Sequence, residues 1–216
     1  MQTFFKSAAL SCVVIASVVC CQTQIFAQNE KAAAEGLTVI EDPDELYGKG
    51  NVEIDFDTDP DGKEVQVKQA FSDLYLPVGV TFKSEREEGS VVAFRYNCKG
   101  RSGKNCAGNS SPPYYGNVKI AFHKPGDAKT PATITKFGVY LAVVEKDGTS
   151  IEAYDSGDKL IGKLVTRGRI ERNEFLAASS ETPIAYLRIV ANEDIDADFA
   201  FDDLVFDKPR VVEKEK

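Results

Sequence analysis

The sequence predicts an all-β chain, an antiparallel β-sandwich with one short helix, and three observations predict it. From Val52 to Phe206 short runs of β-branched and aromatic residues alternate with Gly, Pro, Asn and Asp, which is how strands and their turns are written. Val52-Glu53-Ile54-Asp55-Phe56-Asp57 sets apolar residues on one face and carboxylates on the other, the two-residue period of a half-buried strand. Helical spacing occurs in one place, Val67, Phe71, Leu74 and Tyr75, where one or two turns ending at Pro77 would satisfy it.

The elements follow in order. Residues 1–27 carry a single charge, Lys6, ahead of the apolar run AALSCVVIASVVCC and then QTQIFA, the pattern of a secretory signal peptide cleaved after Ala27. Cys20 and Cys21 raise the alternative of a lipid anchor. A lipobox has a small residue directly before its Cys, however, and here that position holds Val19 or Cys20. Residues 28–50 are polar, rich in Ala and Glu and without period, and read as a flexible N-terminal tether. A single domain of residues 51–208 follows, long enough for a two-sheet core, and 209–216 form a charged tail.

Within the domain the expected strands are VEIDFD, VGVTFK, VVAFRYN, NVKIAF, ITKFGVYLAVVE, SIEAYD, KLIGKLVT, IAYLRIV and DFAFDDLVF. Lys146-Asp147-Gly148-Thr149 is a hairpin signal of the Asp-Gly type. Phe199 and Phe201 share one face while Leu204 and Phe206 share the other, so the alternation breaks at Asp202-Asp203, as a β-bulge would make it.

Charge and composition exclude several functions. The net charge of −8, becoming −9 if Lys6 leaves with the leader, opposes a non-specific grip on nucleic acid. A single His rules out His-rich metal centres, and no Walker, Rossmann or zinc-hydrolase spacing is present. His123, at a strand end in IAFHKPGD, is read as a polar strand-end residue rather than a base, and no G-x-S-x-G elbow exists to carry a nucleophile. Of five cysteines, Cys98 and Cys106 remain after the leader, an even pair in an oxidising compartment and hence a candidate disulfide around the basic loop KGRSGKN. Zinc would need two further ligands nearby, and the C-x-x-C spacing of redox dithiols is absent. Asp57, Asp59, Asp61 and Gly62 imitate the opening of an EF-hand, but its twelfth position is Lys68 where a bidentate Glu belongs, so that motif fails.

The order IDFDTDPDG, FSDLYLPVGVTF, SSPPYYGNVKIAF, IEAYDSGDKLIGK, PIAYLRIVANE, FAFDDLVF resembles the exported bacterial β-sandwich domains of PEP-CTERM-type proteins, themselves similar to jelly-roll carbohydrate-binding modules. The resemblance covers residues 52–207. The final KPRVVEKEK has no Pro-Glu-Pro motif, so anchoring through a sorting tail is not expected. What the resemblance implies is export, to the periplasm, cell surface or exterior, and a sandwich whose first and last strands are neighbours. It also implies a structural Ca²⁺ near that edge, which makes Asp55, Asp57, Asp202 and Asp203 the candidate ligands; the plain alternative is a solvated acidic strand face.

For a sugar the tools are aromatic rings with nearby amides, and Tyr96, Asn109, Tyr114, Tyr115 and Asn117 around the Cys98–Cys106 loop supply them. Lys99, Arg101 and Lys104, with Arg167, Arg169 and Arg172, form basic clusters that suit a sulfated or uronic polysaccharide or simply keep the surface soluble. The expectation is thus a secreted, non-catalytic module for cell-surface or extracellular polysaccharide, with a surface protein as alternative partner, no nucleic acid and no membrane span in the mature chain. Two further readings stand beside it: a structural or matrix interaction domain without sugar specificity, and a glycan-active enzyme built on paired carboxylates.

Overall fold

The computed structural model describes residues 36–86, 89–95, 101–110, 116–142, 148–166, 173–191 and 199–212. In chain order its strands are β1 (Thr38–Val39), β2 (Val52–Ile54), β3 (Val80–Ser84), β4 (Val91–Phe94), β5 (Cys106–Asn109), β6 (Val118–Lys124), β7 (Asp127–Ala142), β8 (Ser150–Tyr154), β9 (Leu160–Val165), β10 (Glu174–Ile184), β11 (Tyr186–Val190), β12 (Ala200–Phe206) and β13 (Arg210–Val211). Every pairing between them is antiparallel.

They form two layers. One runs β1-β10-β7-β12, with β2 against the C-terminal half of β12, β5 against its N-terminal half, and β4 outside β5. The other runs β3-β6-β11-β8-β9. The 16-residue β7 belongs to both ends of the arrangement: it leaves the β6–β7 hairpin, where Gly126 takes a left-handed φ of 79°, and continues between β10 and β12.

The alternation read from the sequence places the core between the layers. Val80 and Phe82 of β3, Ile120 and Phe122 of β6, and Leu187 and Ile189 of β11 point inward and are buried. Phe56 is the hub of an aromatic cluster, its ring 5.2 Å from Phe71, 5.7 Å from Phe82 and 5.5 Å from Phe201. Removing such a ring from water stabilises the fold by about 1.5–3 kcal/mol, before the geometry of the ring pairs adds its part.

The last and first domain strands lie side by side as expected, Leu204, Val205 and Phe206 of β12 facing Ile54, Glu53 and Val52 of β2. The bulge is also where the broken alternation puts it. The β12–β7 register shifts between Asp202 and Val205, and Asp203 sits at φ 49°.

The structure departs from the sequence reading in five places. Residues 36–50 are not a free tether: β1 pairs with β10, and Leu46 and Tyr47 are buried against Ala177 and Val205 on the outer side of the first layer. Gly138 makes room for them, since a Cβ there would meet Phe175 at 2.6 Å and Leu46 at 2.9 Å. The expected helix before Pro77 is instead a series of turns closing in a three-residue 3-10 helix, Leu76–Val78, because Phe71 and Tyr75 are held by the aromatic cluster rather than by a helical face. β7 and β8 are not hairpin partners: β8 pairs with β9 and β11, and Lys146 and Asp147 of the Asp-Gly signal lie outside the described residues. β5 and β10 were not expected at all. Part of the C-terminal tail is ordered too, as β13 against β7. No helix among the described residues is long and apolar enough to cross a membrane.

Candidate functional site

The outer side of the second layer carries its side chains in two cross-strand rows, because residues two apart on a strand share a face and antiparallel register aligns them across strands. One row is Thr81, Ala121, Tyr186, Tyr154 and Leu160, from β3 to β9. The neighbouring row is Lys83, Lys119, Arg188, Glu152 and Lys163. With strands about 4.8 Å apart, each row runs about 19 Å across the sheet.

Tyr154 and Tyr186 stack with centroids 4.8 Å apart and planes within 9° of parallel. The Lys119 ammonium lies 3.5 Å from the Tyr186 centroid, a cation–π contact. Arg188 binds Glu85, Nε to Oε2 at 2.8 Å and a terminal nitrogen to Oε2 at 2.7 Å, and approaches Glu152 at 3.6 Å. The Glu85 hydrogen bond, with the surrounding carboxylates, holds the Arg188 guanidinium well above its ordinary pKa despite partial burial. Tyr154 Oη donates to Glu152 Oε2 at 2.6 Å. Burial and the Asp158 carboxylate push the Tyr186 phenol up to about 12, so it stays a neutral hydrogen-bonding group at physiological pH. The face is therefore a half-exposed, hydrogen-bonding surface on a sheet, with two phenols, the carboxylates of Glu85, Glu152 and Asp158, and several cations aligned by the strand register.

At one end of that face Thr81 Oγ1 and His123 Nε2 are 2.9 Å apart. Burial lowers the His123 pKa, and among the described residues no nucleophile–base–carboxylate chain forms around it.

The seam where β2 meets β12 is the second region of interest. An open cleft of about 310 Å³ lies there, with Tyr47, Glu53, Asp55, Asp59, Arg101 and Asp203 among its walls. Its carboxylates are engaged by their own loops. Asp55 accepts the N–H groups of Asp57 and Thr58 at 3.0 Å, Asp59 those of Asp61 and Lys63 at 2.9 and 2.8 Å, and Glu53 that of Gly48 at 2.7 Å. Arg101 pairs with Asp44 at 2.9 Å and covers the Tyr47 ring at 4.7 Å.

The four aspartates expected to share a cation converge on this seam, but mainly around a loop. Asp57 accepts the N–H groups of Gly103, Lys104 and Asn105 at 3.2, 3.1 and 2.9 Å. Asp203 accepts those of Arg101 and Ser102, the latter at 2.9 Å. Asp202 is fully buried; its Oδ1 accepts the Asp203 N–H at 2.9 Å and its Oδ2 has no partner. Burial first, then the Asp203 carboxylate, pushes the Asp202 pKa up to about 9. Among the described residues no three acidic, His or Cys side chains are grouped to hold a metal ion. As placed, the donors do not fit a Ca²⁺ cage, since Asp57 and Asp203 face backbone N–H groups that a cation would have to displace.

Of the residues expected to meet a sugar, Asn109 and Asn117 are described, and both hold backbone. Asn109 is 2% exposed and donates to Gly116 O at 2.7 Å. Asn117 Oδ1 accepts from Ala191 N at 3.1 Å. Tyr96, Tyr114, Tyr115, Cys98, Lys99, Arg167, Arg169, Arg172 and the leader with Cys20 and Cys21 lie outside the described residues. Cys106 is buried on β5. Sequence reasoning missed the face of the second layer, although AYLRI and IEAY each carry the two-residue period that generates it; which strands align could not be read from them.

Fold and surface together define a class, an antiparallel jelly-roll-like sandwich with one open sheet face. No protein-family model matches the chain, and no curated protein matches it. Among solved structures it is similar to the CBM22-1 and GH10 modules of Clostridium thermocellum endo-1,4-β-D-xylanase 10B, solved with xylohexaose, at 14% identity and a TM-score of 0.42. That likeness covers 74% of this chain, which spans 29% of the length of the xylanase chain. A family 29 carbohydrate-binding module from Piromyces equi is similar at 7% identity and a TM-score of 0.40, over 72% of this chain and 89% of that one. The K2 cleaved adhesin domain of Lys-gingipain is similar at 12% identity and a TM-score of 0.36, over 79% and 98%.

Proposed function

We propose that the protein is an exported, non-catalytic module that binds carbohydrate on the outer face of the β3-β6-β11-β8-β9 layer. The observation that carries this reading is the register of Tyr154 and Tyr186 beside Glu152, Arg188 and Lys119 on a rigid sheet. A sugar presents hydroxyls that both donate and accept, and C–H faces that pack on aromatic carbon; this surface offers carboxylate acceptors, a guanidinium donor and ring edges within one or two strand spacings. Side chains fixed by a sheet lose little further entropy when a ligand is held. The apolar leader at residues 1–27 supports export, and the Cys98–Cys106 disulfide belongs to this reading only as a proposal. The non-catalytic part of the reading is supported by the seam cleft, whose carboxylates Asp55, Asp59 and Asp203 accept backbone N–H groups of neighbouring loops.

Affinity electrophoresis through gels carrying xylan, a β-glucan, a mannan or polygalacturonate tests the reading. Retardation in at least one gel is expected, together with its loss in Tyr186→Ala and Tyr154→Ala variants of unchanged Tm. Free mobility in every gel would overturn it and favour the protein-interaction alternative. Release of reducing ends from a retarding polymer would favour the enzyme.

A further inference from the structure

The second row of the same face places like charges directly opposite one another. Lys83 faces Lys119 across β3 and β6, and Lys119 faces Arg188 across β6 and β11. Like charges opposite each other on adjacent strands destabilise a sheet, and among the described residues only Arg188 of these three has carboxylate partners, Glu85 and Glu152. Lys119 has the Tyr186 ring instead, and among the described residues Lys83, Lys119 and Lys163 have no carboxylate within salt-bridge distance. Lys163, opposite Glu152, closes the row on β9.

We infer that this row selects an anionic polysaccharide, a chain bearing one carboxylate or sulfate per sugar or per few sugars, laid across the strands. The inference rests on the carbohydrate reading and deepens it. The adjacent tyrosine row supplies the edge against which the sugar rings lie. The Lys83 and Lys119 ammonium groups, about one strand spacing apart at their backbones, meet successive anionic groups. The spacing separates this ligand from other polyanions. Duplex nucleic acid carries a charge every ~1.7 Å of its axis with both strands counted, ~3.4 Å along each strand, denser than cations about 4.8 Å apart at their backbones. A polysaccharide with spaced charges and neutral carbon between them is accepted where a phosphate backbone is not. The ion pairs of Arg188 hold that guanidinium in place as the row's fixed centre, while Lys83, and Lys119 through the N–H groups it does not direct at the Tyr186 ring, meet the ligand.

The test compares polygalacturonate with its carboxyl-reduced, neutral counterpart of the same length, by isothermal titration with the full chain at 50 and 300 mM NaCl. Binding to polygalacturonate at least tenfold tighter than to the neutral polymer is expected, weakening severalfold at the higher salt. Lys83→Gln combined with Lys119→Gln should weaken the charged polymer at least tenfold and leave Tm unchanged or higher, since it removes a repulsion. Lys129→Gln, on the exposed β6–β7 hairpin side, should change nothing. If the double variant binds polygalacturonate as the parent does, or the parent prefers the neutral polymer, the charge selection is overturned while the carbohydrate reading stands. If the parent binds neither these polymers nor xylan, glucan or mannan, both fall. Should the double variant lose stability, Lys83→Gln alone, at an exposed position, gives the same comparison.

Discussion

Asp202 is the residue whose replacement reports most directly on the seam. Its carboxyl is buried with one oxygen lacking a donor, and its pKa is pushed from the ordinary 3.8 up to about 9. An acid whose folded value lies above its unfolded value takes up a proton on folding. Its effect is therefore harmless below about pH 4 and grows more destabilising as pH rises toward the folded value. Each pH unit in that interval withholds about 1.4 kcal/mol, so at pH 7 ionisation in the unfolded chain opposes folding by about 4 kcal/mol as an upper bound. Asp202→Asn preserves the Oδ1 acceptor for Asp203 N and removes the proton linkage, but buries an amide N–H₂ with no partner, a cost of about 1–3 kcal/mol that does not depend on pH. The variant should thus be less stable than the parent near pH 4 and more stable by about 1–3 kcal/mol at pH 7. Urea denaturation followed by tyrosine fluorescence at pH 4, 5, 6, 7 and 8 measures the difference, and the titrations of groups remote from Asp202 cancel between the two proteins. A difference that stays constant from pH 5 to pH 8 would falsify the buried-acid account. The same series in millimolar Ca²⁺ examines the ion: a cation at Asp202 would hold it ionised and flatten the parent's slope.

Three further outcomes are expected. Asp57→Ala removes three N–H acceptances from residues 103–105 and should destabilise the fold by about 2–4 kcal/mol, with faster tryptic cleavage after Lys104; unchanged Tm and cleavage would refute the anchoring role. Asp207 accepts Thr135 N at 2.7 Å, Thr135 Oγ1 at 2.9 Å and Lys136 N at 2.9 Å while 8% exposed, so Asp207→Ala should lower stability by about 2–3 kcal/mol in urea titration, and Asp207→Asn by less. Cys98 and Cys106 should resist alkylation in the folded and the urea-unfolded protein until a reductant is added; labelling of unfolded, unreduced protein would show that the pair is not bridged.

The fold was legible where side chains alternate. Val80-Thr81-Phe82-Lys83 and Tyr186-Leu187-Arg188-Ile189 each state which residues face the core, and the break at Asp202-Asp203 states the bulge. β10 was not legible because its centre, Ala177-Ala178-Ser179-Ser180, has neither β-branched nor aromatic residues. It is a strand because β7 and β1 supply both of its ladders. β5, Cys106-Ala107-Gly108-Asn109, is silent for the same reason and is held between β4 and β12. The seam was half legible. That Asp55, Asp57, Asp202 and Asp203 converge follows from first and last strands being neighbours. That two of them hold the loop at residues 101–105 depends on where that loop's N–H groups point, which no spacing encodes. The lysine row is a product of register between β3, β6 and β11, and register is a property of pairs of strands rather than of either one.

The segment from Leu37 to Tyr47 bears on how the molecule can be handled and approached. A truncation placed at residue 51, where composition suggests a natural start, would strip Phe175, Tyr140 and Ala177 of their cover and leave a greasy back that self-associates. Kept intact, that strip upholsters one side and leaves the other bare, so the sandwich has a front and a back. On the binding reading proposed above, a long polymer would lie against the front.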